Sequence, residues 1–326
     1  NLLYNTGLDV SILLLVKDGE LLQSVHPKIK IYRLERDQKF SIRKMKQTSL
    51  IIKKYDIVHV HLKHNYRYLK IISFLFAEKK IILHDHSHLQ HIKKSFSRKL
   101  KDSFFKNILK PDYYIGVSSE ICLWAENVIK IKKNRIFKLT NTVTREDTTN
   151  TKNDKKECLV LVSNITRVKN ISFALKIVKI TGLNLTIYGK IYDQEYMDEL
   201  VREINQLGIQ EKVKVISNII NIQKILPKYK FALHTSKKET GPLAIIEYLA
   251  QGVPFLSYDT GEVINTIKKD LPEFIMNTFD EKIWADTIIK VINTSSKKIE
   301  TVYLKHFNPK KYTNQCLEIY KIVKNS

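Results

Sequence analysis

Glu239 and Glu247 stand eight positions apart, and the segment between them runs Thr-Gly-Pro-Leu-Ala-Ile-Ile. Gly241-Pro242 reads as a loop ending at a helix start, because proline's missing N–H and fixed φ suit the first helical turn. Leu243 to Ala250 then continues as a helix, and its first-turn amides, backed by the helix dipole, form a ready site for phosphate. Glu247 falls about one turn further along the same helix, within reach of a neutral polyol attached to that phosphate. Carboxylate, anion-binding helix end, carboxylate is a grip suited to a sugar nucleotide. Acids also gather near helix starts for ordinary electrostatic reasons, so the pair takes its meaning from its surroundings.

Those surroundings supply cations and a close-approach residue. Val162-Ser-Asn-Ile-Thr-Arg-Val-Lys-Asn170 lies between a strand and the helix that begins at Ile171. Arg167 and Lys169 sit in that loop, where cations and helix amides can meet a diphosphate; a charged surface loop has the same composition. Gly189 ends the strand Leu183–Tyr188 at the same sheet edge, either to let backbone approach a ligand or simply to turn the chain.

The elements that must position these residues alternate along the whole chain. Short aliphatic runs predict strands at Val10–Val16, Ile29–Leu34, Ile57–His61, Ile81–His84 and Tyr113–Val117, then at Cys158–Val162, Leu183–Tyr188, Val213–Ser217, Phe231–Thr235 and Pro254–Tyr258. Helical periodicity covers Ile42–Lys54, Tyr66–Ala77, Ile171–Ile180, Gln194–Leu207, Ile222–Leu226, Leu243–Ala250 and Asp280–Ile292. This rhythm predicts an α/β protein of two doubly wound, Rossmann-like domains with parallel sheets. Residues 1–146 form the first domain and 157–326 the second, with the last helix packing back on the first. Thr144 to Lys156 contains no apolar residue, which predicts a linker over 147–156. Ligands of such folds bind at the carboxyl ends of the strands, here in a cleft that the two domains face.

Composition narrows the function classes. At 326 residues the chain has room for two ordinary domains. Its three cysteines, Cys122, Cys158 and Cys316, are odd in number and far apart, which fits a reducing cytosol and excludes a disulfide framework. No apolar run is long enough to span a bilayer. The start, Asn-Leu-Leu-Tyr, has neither an initiator Met nor a signal-peptide pattern, which predicts a chain lacking its natural beginning. The net charge is +23, with 56 Lys/Arg against 33 Asp/Glu. Residues 1–150 hold 29 basic against 14 acidic residues, or +15, and the remainder hold 27 against 19, or +8. A basic first half predicts an anionic surface as partner, lipid headgroups or nucleic acid. Within Leu89–Lys110, Ile92, Phe96, Leu100, Phe104 and Ile108 recur every four residues among Lys and Arg. That pattern fits a basic amphipathic helix lying on anionic lipid or one burying its stripe in the first domain.

Taken together, these motifs resemble the retaining glycosyltransferases of family 4, which have the GT-B fold. The E-x7-E element of that family falls on Glu239 and Glu247, and its phosphate-contacting lysine on Lys169, followed by Asn170. Its mid-domain glycine falls on Gly189, and its Gly-Val-Pro turn on Gly252 to Pro254. The resemblance implies that Glu247 holds the ribose hydroxyls and Glu239 the donor sugar. It also implies that the amides around Gly241, Pro242 and Leu243 receive the diphosphate. Two positions depart from the pattern: Asn164 stands where the family carries an arginine, and Ser163 where it carries a glycine. Asn164 therefore joins Lys169 and Arg167 as a donor-binding position with a different chemistry, and Arg167 is the substitute cation. In the first domain, Asp56-Ile-Val-His-Val-His61 is similar to the family's D-I-V-H-x-H strand, and Asn141-Thr-Val143 to its N-G-V segment. His84-Asp-His-Ser-His88 is similar to its histidine-bearing strand end, which implies that His84 or His86 orients donor sugar or acceptor. Each histidine taken alone also fits an ordinary structural residue.

The implied reaction moves a sugar from a nucleotide sugar, taken as a UDP-sugar, to a glycan or lipid-linked acceptor with retention of configuration. Its implied setting is bacterial surface polysaccharide synthesis, capsule or lipopolysaccharide, by a cytoplasmic enzyme peripheral on the inner membrane face. The sequence has no Asp-x-Asp for a metal on the diphosphate. The H-D-H-S-H cluster has no Cys or Glu at ligand spacing, so neither a metal nor a cofactor beyond the donor substrate is expected. Rival readings are a sugar-nucleotide epimerase of the same fold, a non-catalytic partner subunit, and a basic nucleic-acid-binding protein. The last lacks any recognisable nucleic-acid motif, so no nucleic-acid partner is expected.

Overall fold

A computed structural model describes residues 1–36, 41–86, 109–147, 157–217, 219 and 221–326. His88, most of the amphipathic stretch 89–110 and most of the expected linker, from 148 onward, lie outside the described residues. The chain divides into two compact units, Asn1–Thr140 with Lys310–Ser326, and Asn141–Pro309. No described helix is long and apolar enough to cross a membrane.

In the first unit, β1 (Ser11–Leu14) and β2 (Lys30–Arg33) form a parallel pair. Helix α1 (Ile42–Ile52) starts at Ser41, whose side chain accepts from the Lys44 amide, an ordinary N-cap. Then come β3 (Ile57–His61), α2 (Lys63–Phe76), β4 (Lys80–Asp85), β5 (Tyr113–Gly116), α3 (Ser119–Asn127) and β6 (Ile136–Lys138). Strands β3 to β6 make a parallel sheet in sequential order. Strand β6 is a three-residue edge strand, too short for sequence periodicity to register.

The second unit holds β7 (Glu157–Val162), α4 (Ile171–Thr181), β8 (Leu185–Tyr188), α5 (Gln194–Leu207), β9 (Val213–Ile216) and β10 (Tyr229–His234). It continues with α6 (Leu243–Ala250), β11 (Phe255–Tyr258), α7 (Glu262–Ile267), β12 (Ile275–Met276), α8 (Glu281–Val291) and α9 (Ser296–His306). All six strands are parallel in the order β12-β11-β10-β7-β8-β9. That is the doubly wound pattern, with its topological switch between β10 and β7. The helix expected at Ile222–Leu226 is instead two short 3-10 turns, Ile222–Lys224 and Leu226–Lys228. Pro227 lacks the amide that a continuing α-helix needs.

The last helix, α10 (Pro309–Asn325), belongs to the first unit. Cys316, Ile319 and Val323 pack there with Ile82, Tyr113, Ile115 and Leu139. Residues 141–147, which sequence places in the first domain and at the start of the linker, join the second unit through specific bonds. Asn141 Nδ2 donates to Gly241 O at 2.9 Å, Tyr303 Oη to Val143 O at 2.8 Å, and Gln223 Nε2 to Thr144 O at 2.9 Å. A polar segment can thus be tied down wherever its backbone acceptors find donors.

The core of the second unit converges on α6. Helix α6 buries Ile245, Ile246, Tyr248, Leu249 and Ala250. The Tyr248 hydroxyl accepts from the Val162 amide at 2.9 Å and donates to Leu233 O at 3.3 Å, so it ties the helix to both strands at the switch point. We expect Tyr248→Phe to lower stability by about 1–3 kcal/mol, because a backbone amide loses its partner in the core. Chemical denaturation measures this, and an unchanged midpoint would contradict it.

Candidate functional site

Two polar clusters occupy strand ends, one in each unit. In the second unit the loop after β7 carries Lys169 and the loop after β10 carries Glu239. They are held together by bonds to the backbone: Lys237 N donates to Val168 O at 2.9 Å, and the Thr235 hydroxyl to Lys169 O at 2.9 Å. Asn170 turns the chain into α4 with φ +53°, a left-handed conformation that Asn tolerates better than most residues. The Lys169 ammonium therefore meets Glu239 Oε1 at 2.5 Å. The same oxygen lies 3.3 Å from His234 Nε2. His234 is buried, and its Nδ1 is 3.1 Å from Ser257 Oγ. From the chain itself, the Glu239 amide donates to Thr260 Oγ1 at 3.1 Å. Gly261, at φ +86°, leaves room behind this carboxylate, since a Cβ there would come within 2.9 Å of Glu239 Cβ.

The two glutamates end in opposite electrostatic environments. Burial opposes charge on Glu239, yet the hydrogen bond and charge of His234 and the Lys169 ammonium outweigh it and hold the carboxyl at about 2. Glu239 is ionised at any physiological pH. The Glu247 carboxyl, on α6, receives no hydrogen bond or ion pair among the described residues, and burial alone lifts it from 4.5 to about 7. Between these carboxylates, α6 begins at Leu243 with no side chain capping it; Pro242 occupies the N-cap position rather than the first helical turn. Its first-turn amides are thus left for water or an anion. Leu243 is exposed, and Gly241 O is taken by Asn141.

The remaining expected donor-binding residues separate. Arg167 turns to α5, where its guanidinium makes bonds of 2.6 and 2.7 Å to the Glu199 carboxylate and stacks over Tyr196. It is engaged there, so of the two loop cations only Lys169 stands at Glu239. Asn164 is exposed at the end of β7. Gly189 packs against this same turn: a Cβ on it would lie 1.9 Å from Ser163 O. What approaches Gly189 is the neighbouring backbone, and that contact sets the loop that leads to Lys169.

In the first unit, His84 and His86 flank the end of β4. His84 pairs across the sheet with His61 of β3. His59 Nε2 is 3.1 Å from His84 Nδ1, and His61 Nδ1 is 2.9 Å from His86 Nε2. Burial is the first cause that keeps His59 at about 3 and His61 at about 4, and it also drives His84 and His86 below the usual histidine range. Asp85, between His84 and His86, is buried and engaged by the Tyr114 hydroxyl at 2.5 Å and the Lys63 ammonium at 2.8 Å. Just beyond His61, Leu62 has φ +74°, a strained conformation for a branched side chain.

Sequence reading did not single out His234, although it stands in the expected strand Phe231–Thr235 five residues before Glu239. It also passed over His59 and His61 as site residues. The signal for these was their two-residue spacing, matched by the spacing of His84 and His86.

With this geometry in view, the second unit can be placed among known proteins. Residues 143–301 match the family model Glycosyl transferases group 1. The overall fold is GT-B. Solved structures with this fold align over nearly the whole chain at low identity. A glycosyltransferase from Rickettsia africae aligns with TM-score 0.79 and 18% identity, over 99% of this chain and 92% of that one. Anabaena HepE, solved with UDP and glucose, aligns with TM-score 0.78 and 15% identity, over 95% and 91%. A sucrose-phosphate synthase from Thermosynechococcus elongatus aligns with TM-score 0.75 and 14% identity, over 98% and 90%. No curated protein matches the sequence.

Two predictions follow from packing and charge. Gly189→Ala should destabilise the second unit by about 1–3 kcal/mol, since the added methyl collides with backbone and not with a yielding side chain. Wild-type thermal stability in this variant would refute the close approach. Glu247→Gln should stabilise the protein in a pH-dependent way. Below pH 4.5 the carboxyl is protonated in both folded and unfolded chains; from there to about pH 7 only the unfolded chain ionises, so stability falls as pH rises and then levels off. The glutamine variant removes that loss, gaining at most about 3 kcal/mol at pH 8 and nothing at pH 4. Denaturant midpoints at the two pH values decide the matter; an equal gain at both would overturn it.

Proposed function

We propose that the chain is a glycosyltransferase that takes a sugar from a UDP-sugar and delivers it to a hydroxyl of a glycan or lipid-linked acceptor. The observation that carries this reading is the Lys169–Glu239–His234 cluster, set at the end of β10 and on the loops that lead into α4 and α6 within the matched segment. The UDP and UDP-glucose bound to HepE support the choice of donor. In this reading the uncapped start of α6 and the Lys169 ammonium receive the diphosphate, whose charge grows as the glycosidic bond breaks. Glu239, permanently ionised, accepts hydrogen bonds from the donor sugar's hydroxyls; it has no proton to give and so is not a general acid. Glu247 accepts from the ribose hydroxyls, most strongly when ionised. The positive charge that develops at the anomeric carbon resembles an oxocarbenium ion.

Retention follows if the acceptor hydroxyl attacks on the face the diphosphate leaves. The bond from anomeric carbon to phosphate oxygen breaks, the bond to the acceptor oxygen forms, and the departing phosphate oxygen takes the acceptor's proton. Lys169 and the helix amides do the work that a diphosphate-bound metal performs elsewhere. His84 and His86 serve donor or acceptor orientation. The basic charge of the first 150 residues supports a setting at an anionic membrane surface, where surface-polysaccharide acceptors reside.

Titration calorimetry with UDP and UDP-glucose tests the reading. Lys169→Ala should weaken binding about tenfold or more, the worth of one charge-assisted hydrogen bond, and abolish transfer. Wild-type affinity should decline as pH falls below about 7, where Glu247 takes a proton, and Glu247→Gln should bind weakly at all pH values. If a folded Lys169→Ala protein binds UDP as wild type does, or no nucleoside diphosphate binds, the assignment fails.

A further inference from the structure

The histidines of the first unit carry a chemistry that glycosyl transfer does not use. Side chains alternate along a strand, so His59 and His61 share one face of β3. The register sets His84 beside His61 on that same face, and His86 follows β4. The four rings stack closely, with centroids 4.8 Å apart for His59 and His61, 5.1 Å for His59 and His84, and 4.3 Å for His84 and His86. One ring nitrogen from each of His59, His61 and His84 lies within 4.8 Å of the other two.

A neutral imidazole has one donor and one acceptor nitrogen. The Tyr320 hydroxyl meets His59 Nδ1 at 2.7 Å, and His59 Nε2 meets His84 Nδ1. Whichever way the protons run along this row, His84 Nε2 is buried without a partner among the described residues. A buried polar atom with no partner costs about 1–3 kcal/mol.

We propose that His59, His61 and His84 bind one divalent transition-metal ion of the zinc class, with His86 as the fourth nitrogen. Metal–nitrogen bonds of about 2.0–2.1 Å in a tetrahedron place neighbouring ligand nitrogens about 3.3 Å apart. The two observed contacts, at 3.1 and 2.9 Å, are within a few tenths of an ångström of that edge. An all-imidazole set suits Zn²⁺, Co²⁺, Ni²⁺ or Cu²⁺ and disfavours Mg²⁺ and Ca²⁺, which take oxygen ligands. Asp85 stays outside the set because Tyr114 and Lys63 engage it. Tyr320 supplies the outer contact that fixes the His59 ring and its tautomer. His61 is exposed, which gives an ion its route in. Bound metal cross-links the ends of β3 and β4. Spacing along the chain hides this site because its ligands come in pairs from two strands.

The test uses untagged full-length protein stripped with chelator, and it does not depend on any transferase activity. Zn²⁺ competition against a chromophoric chelator should give one ion per chain, and Co²⁺ should give the strong visible absorption of a four-coordinate site. His61→Gln, at the exposed rim, and His59→Gln should each weaken Zn²⁺ binding at least about tenfold. His26→Gln should leave it unchanged, and Mg²⁺ should not compete. Zinc should also raise the melting temperature of the wild type but not of the His59→Gln/His61→Gln double variant. Absence of stoichiometric binding by folded wild type, or equal affinity in a folded double variant, overturns the proposal.

Discussion

The second unit depends on one buried hydroxyl. Tyr248 reaches from α6 to the backbone of β7 on one side and of β10 on the other, bridging the two strands between which the sheet reverses its winding. A doubly wound sheet opens its loops in opposite directions at that point, so residues after β7 and β10 gather there. Placing α6 by a hydrogen bond to both strands, and not by apolar contact alone, sets its uncapped start and Glu247 relative to Lys169 and Glu239. Apolar packing tolerates small slides; a hydroxyl shared by two backbone groups does not.

That placement separates the chemistry of two identical side chains. Glu239 lies against an ammonium and a histidine and stays charged; Glu247 has only burial around it and hovers near neutrality. Carboxyl groups pushed apart in this way take different tasks at one pH. The charged one is already engaged by Lys169, so a ligand that draws on that cation must share it. The other has an unmet need for hydrogen-bond donors, which a vicinal diol supplies.

The first unit shows the same logic with histidine. Its four imidazoles are neighbours because β3 and β4 pair with His61 opposite His84. A shift of one residue would send one strand's pair to the opposite face. The cluster is therefore a consequence of register, and among the described residues its His84 Nε2 has no hydrogen-bond partner.

Much of this was legible in the chain. Short aliphatic runs and helical stripes located most strands and helices, since both signals are local. Glu239 and Glu247 stood out by their spacing around a Gly-Pro helix start, and Lys169 by its place in a strand-to-helix loop. Short edge strands such as Ile275–Met276 escaped because two residues carry no period. The 3-10 turns around Pro227 escaped because a brief apolar run looks helical until its amides are counted. What tertiary structure alone decided was partnership: that Lys169 and not Arg167 meets Glu239, that His234 joins them, that residues 141–147 pack with the second unit, and that two pairs of histidines form one cluster. Sequence determines which side chains a strand or helix presents, because propensity and period act over a few residues. Which side chains then face each other is set by strand order and register, and those are chosen by the packing of segments far apart in the chain.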